Sequence, residues 1–131
     1  MTTKLKGNAL CMQVEEGVIQ FGFADDEFDV KEYLLLSRSF EIDDQDRELR
    51  LEGVHIEWGD QLRSAYGGVE AVILSEHQVI FKVDRDTAVR LGTEETIEIE
   101  VADARYYPKG AAMFLARLFG EENGVTITYV G

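Results

Sequence analysis

A single cysteine, Cys11, leaves the chain without any internal disulfide. A single proline, Pro108, leaves it without a Pro-rich linker along which to divide, and no repeat or low-complexity tract interrupts it. Two histidines, His55 and His77, are the full complement, and nothing in their spacing brings them together as a metal or acid–base pair. No apolar run approaches the ~20 residues needed to cross a bilayer; Leu34-Leu35-Leu36 is a strand-sized piece. Lys4 and Lys6 near the N-terminus are not followed by an apolar stretch, so no signal peptide is expected. With one cysteine, the expected location is a reducing cytoplasm. No Gly-rich phosphate loop, dinucleotide fingerprint or serine nucleophile elbow is present, so no enzymatic activity and no cofactor are expected.

Basic residues are also scarce. Lys and Arg number 13 against 26 Asp and Glu, a net charge of -13. A field of that sign repels nucleic acid and anionic membrane surfaces, so neither is expected as a partner. It attracts basic proteins and speeds their encounter. A length of 131 residues with 45% hydrophobic content fits one domain, residues 1–131, with one core.

Most segments repeat with a period of two. Asn8 to Val14 and Val18 to Ala24 read as a hairpin around Glu15-Glu16-Gly17, with Ile19, Phe21 and Phe23 on one face. Tyr33 to Phe40 reads as a strand between two acidic stretches, Asp25 to Glu32 and Glu41 to Glu48. Gly53 to Trp58, Gln61 to Tyr66, Val69 to Leu74 and Gln78 to Val83 then follow at short spacing, an antiparallel meander. Asp84 to Leu91 has a capping acid at its start and Gly92 at its end, a short helix. Glu95 to Val101 alternates again. Pro108 opens a second helix, where Ala112, Leu115, Ala116 and Phe119 form one apolar stripe ended by Gly120. Val125 to Val130 is a last strand. The expected fold class is α+β: a mostly antiparallel meander sheet with one or two helices packed on it. Its expected core includes Phe21, Phe23, Leu35, Ile56, Ile73, Phe81, Ile99, Leu115 and Phe119.

Asp44, Asp46 and Glu48 are spaced like the start of a calcium loop, but Leu49 stands where the glycine of the sharp turn belongs. A solvated loop, with no metal, is the expectation. Tyr66-Gly67-Gly68 reads chiefly as a hairpin signal, or else as a place where another backbone approaches closely. Arg38 interrupts an apolar strand and is expected to pair with a flanking carboxylate, or else to face a ligand.

Gly22-Phe23-Ala24-Asp25-Asp26-Glu27-Phe28-Asp29, Tyr33 to Phe40, Asp43 to Asp46 and Tyr66-Gly67-Gly68-Val69-Glu70 together resemble the immunity protein 10 family of bacterial polymorphic toxin systems. Ala88 to Gly92 and Ile97-Glu98-Ile99 continue the resemblance, which runs from Phe21 to Phe119 and is weakest after Val101. It implies an antitoxin made beside a toxin, which it binds in the cytoplasm and neutralises by occlusion. The alternative is a non-enzymatic adaptor domain acting as a homodimer. If a toxin is the partner, the second acidic stretch, with Asp43, Asp44 and Asp46, is the expected contact. It lies nearest in sequence to Trp58, Tyr66, Gly67 and Gly68, and Trp and Tyr are residue types that anchor interfaces.

Overall fold

The computed structural model describes residues 1–39, 53–120 and 124–130. Among these, ten strands form two five-stranded sheets. One sheet is wholly antiparallel and ordered β2-β3-β4-β5-β6: Ala9–Glu15, Val18–Ala24, Tyr33–Ser39, His55–Trp58 and Asp60–Tyr66. The other is ordered β1-β9-β8-β7-β10: Thr2–Gly7, Thr96–Val101, Gln78–Val83, Val69–Leu74 and Thr126–Tyr129. Its centre is antiparallel, and both of its outer pairs, β1 with β9 and β10 with β7, are parallel. Helix α1 spans Arg85–Leu91 and helix α2 spans Pro108–Phe119. The α+β class therefore holds, but the meander is split between two sheets.

The split falls at Gly67-Gly68. β5 and β6 belong to the first sheet, β7 and β8 to the second, so the glycine pair is a corner between sheets and not a hairpin turn. Both glycines have positive φ, +77° and +87°. A Cβ on Gly68 would lie 1.8 Å from Thr87 Oγ1, because the corner is pressed onto α1. The Gly67 N–H donates to the Val54 carbonyl at 2.8 Å, and the Asp84 N–H donates to the Gly68 carbonyl at 2.8 Å. Asp84 then caps α1 by accepting from the Thr87 N–H, and Gly92 closes it in the left-handed region.

The two buried faces meet in one core. Phe21 of β3 is its junction: its ring is 5.4 Å from Phe23, 6.4 Å from Phe81 of the other sheet and 6.2 Å from Phe114 of α2. Ile56, Phe81, Ile99, Leu115 and Phe119 are buried as the pattern indicates. Leu35 and Ile73 are not in the core: Leu34, Leu36, Val72 and Leu74 take the inward positions, so both strands are phased one residue away from the expectation. The buried side of α2 is Ala111, Leu115, Leu118 and Phe119; Ala116 faces solvent and Ala112 is half-buried. Arg38, on the inward row of β4, donates to the Arg117 carbonyl at 3.1 Å, at the α2 C-terminus where a cation suits the helix dipole.

β1 escapes the sequence pattern because Leu5 is its one buried hydrophobic side chain. It is an edge strand carrying Lys4 and Lys6 in register with Glu98 and Glu100, and lysines on an edge discourage edge-to-edge association.

Candidate functional site

The antiparallel sheet turns one face away from the core, and most of the side chains on it are half-buried. Strand register aligns Cys11, Gly22, Leu35, Glu57 and Ser64 in one row across it, and Gln13, Gln20, Ser37, His55 and Tyr66 in the next. Their strand neighbours Phe21, Phe23, Leu34, Leu36 and Ile56 are buried, so alternation turns both rows outward. A string of polar and aromatic groups crosses this face. The Tyr33 hydroxyl donates to the Glu57 carboxylate. Glu57 Oε1 lies 3.8 Å from His55 Nδ1, and the His55 ring lies 4.9 Å from the Tyr66 ring. Partial burial, and then the bond to Glu57, push the Tyr33 phenol up to about 12, so it stays a donor at neutral pH. Gln13 donates to Gln20 at 2.7 Å on the same face. Strands fix these groups, and Tyr66 keeps 45% of its surface exposed at the end of the string.

The residues singled out by the sequence fall in three places. Tyr66, Gly67 and Gly68 stand together where the exposed face meets the sheet corner. Trp58 is in the core, 6% exposed, and offers no surface to a partner. Asp43, Asp44 and Asp46, with the rest of 40–52, lie outside the described residues. The described ends of that stretch are Ser39 and Gly53, two residues from Ser37 and two from His55, at the Ser37–His55–Tyr66 row. The other acidic stretch joins β3 to β4 at the opposite end of the sheet. There Asp26 Oδ1 accepts from the Phe28 and Asp29 N–H groups at 2.8 and 2.9 Å, and Asp25 Oδ1 accepts from the Lys31 N–H at 2.9 Å. Of the histidines, His55 joins the string, and His77, 82% exposed, stands apart in the β7–β8 turn. Among the described residues no group of three or more His, Cys, Asp or Glu is placed to hold a metal.

Sequence reasoning missed Tyr33 and Glu57. The signal was available in principle: pairing β4 with β5 in the register that buries Leu34 and Leu36 sets Tyr33 and Glu57 on one side of the sheet. That register was hidden by the wrong phase at Leu35.

An open face lined with tyrosine, histidine and paired polar groups is suited to contacting another protein surface. The model for the Immunity protein 10 family matches residues 6–106, which takes in this whole face. The chain belongs to the Immunity protein 10 family. Membership gives it an immunity function against a toxin, with that toxin as its partner, and proteins of this class are in general not enzymes. The match starts earlier than the resemblance read from the sequence and ends at Tyr106, before α2 and β10. No curated protein and no solved structure matches the chain. No helix among the described residues is long and apolar enough to cross a membrane.

Proposed function

We propose that this Immunity protein 10 member neutralises its cognate toxin, in the cytoplasm of a bacterium, by binding it and covering its active site or substrate groove. The observation that carries the reading is the Tyr33–Glu57–His55–Tyr66 string on an open sheet face within the family match. The ends of the stretch bearing Asp43, Asp44 and Asp46 stand beside that string. Carboxylates carried between those two ends would steer a basic toxin into contact, and the net charge of -13 adds to the attraction. Tyr66, held against His55 and next to Gly67-Gly68, is the anchor of this surface. Binding of this kind needs no cofactor.

The test is association kinetics with the product of the adjacent toxin gene. Replacing Asp43, Asp44 and Asp46 together by asparagine slows association by about tenfold at low salt and flattens its salt dependence. The expected change in melting temperature is no more than about a degree or two, as for carboxylates that serve binding and not the core. If the triple variant associates as fast as the wild type at low salt, the acidic stretch is a solubility feature only.

A further inference from the structure

Opposite the Tyr66 end, the same sheet face holds an open groove of about 500 Å3, lined among others by Cys11, Gly22, Tyr33, Leu35 and Val30. Its size falls within the ~300–1,000 Å3 typical of recognition pockets. The depression is a consequence of the sequence. Gly22 stands between Cys11 and Leu35 in the outward row, and no side chain can replace its hydrogen: a Cβ there would lie 2.4 Å from the Leu34 carbonyl oxygen. The floor is therefore bare where the neighbouring positions carry side chains.

The rim is apolar and acidic. Val30 is 46% exposed, and Phe28, one residue from the rim residue Glu27, is 90% exposed. Phe28 is not on a loose loop, because its own N–H is bonded to Asp26. Two backbone N–H groups, from Asp29 and Phe28, hold the Asp26 carboxyl below its ordinary range, so it is ionised at neutral pH. Glu27 adds a second carboxylate. The cation of the rim, Arg105, is already engaged: its guanidinium lies 2.6 Å from Asp103 and donates to the Leu10 carbonyl at 3.1 Å. Lys31 lies near enough to act on Asp26, and Glu27 acts on Arg105, but Asp26, Glu27 and Asp103 outnumber these two cations, so the groove offers net negative charge beside apolar surface.

We infer that the toxin docks a bulky apolar side chain, flanked by lysine or arginine, into the groove over Gly22, with Phe28 packing beside it. The inference rests on the proposed toxin-binding function and adds a second point of attachment to it, at the opposite end of the face from Tyr66. A second copy of this chain is the poorer occupant, because two chains each carrying a net charge of -13 repel one another.

Cys11 makes the test direct, since it is the chain's sole thiol and it lines the groove. The full-length protein is alkylated with iodoacetamide at mildly alkaline pH, because burial pushes the thiol up. Labelling is compared for the free protein and for its purified complex with the adjacent gene's toxin. Formation of the complex tests the toxin-binding reading; protection of Cys11 within it tests the groove. The expected result is at least tenfold slower labelling in the complex, with Phe28→Ala weakening Kd by about tenfold or more while its melting temperature stays unchanged. A stable complex in which Cys11 is alkylated as fast as in the free protein would overturn the inference. So would labelling of the free protein that slows as its own concentration rises, which would hand the groove to a second copy.

Discussion

Gly68 shows how narrowly one residue can set the architecture. Its positive φ already disfavours any side chain, and Thr87 occupies the space a Cβ would need. Gly17 offers an internal control, with φ +78° and nothing within 4 Å of its would-be Cβ. Gly17→Ala should cost about 1–2 kcal/mol from backbone strain alone. Gly68→Ala should cost roughly 3 kcal/mol, because overpacking against α1 is added. Denaturant unfolding of both variants measures the difference; equal losses would mean that Thr87 moves aside freely. Sequence reasoning singled out Gly67-Gly68 but gave it a hairpin's role. A two-residue glycine break allows either a hairpin or a sheet change, and only the contact with Thr87, far along the chain, decides between them.

Asp103 acts between elements. Its side chain is 9% exposed and accepts from the Leu10 N–H at 2.8 Å and from the Arg105 N–H and guanidinium. Arg105 reaches the Leu10 carbonyl, so the connection from β9 to α2 satisfies one residue's worth of the β2 edge. These bonds, led by the Arg105 side chain, hold the Asp103 carboxyl well below the usual carboxylate range. A depressed folded pKa contributes stability above the unfolded value of about 4, and that contribution is lost as pH falls through the folded value. Asp103→Asn should therefore destabilise by about 1 kcal/mol at pH 7, the partner being exposed. The gap from wild type should narrow as pH drops below about 4. A gap that is constant with pH would assign the loss to geometry and not to charge.

Most elements were legible from period alone: β3, β7, β8, β9 and both helices sit within a few residues of their expected limits. Asp84, Gly92 and Pro108 are local punctuation that the structure uses as such. β4 was found with the wrong phase because Leu34-Leu35-Leu36 is apolar at every position, so alternation carried no information about which residue turns inward. Ile73 was misplaced for the same reason within Ala71-Val72-Ile73-Leu74. The parallel partners of β1 and β10 were not legible, since no local signal names a strand's neighbour. Where the phase was clear the core should behave accordingly. Phe81 and Phe119 are 0% and 3% exposed, and truncating either to alanine should cost ~3–5 kcal/mol. A loss below ~1 kcal/mol in a denaturant melt would place that ring at the surface.

At the scale of the whole molecule, the two sheets and two helices of the described residues close over one core and turn one sheet face away from it, with Tyr66 at one end and the Gly22 groove at the other. The acidity of the chain was plain from composition. The string on the sheet face was not, because it depends on a register across β4, β5 and β6. The functional claim is that this protein acts by occupying its toxin and not by chemistry upon it, and the stoichiometry of neutralisation separates the two. A fixed amount of the adjacent gene's toxin is assayed while this protein is added in increasing amounts, well above Kd. Toxin activity should fall linearly and vanish near one equivalent, and in a separate titration near Kd the Tyr66→Ala variant should bind about tenfold more weakly or worse. Loss of all toxin activity at a small fraction of an equivalent would show turnover, and undiminished activity at several equivalents would show no inhibition; either result contradicts the account.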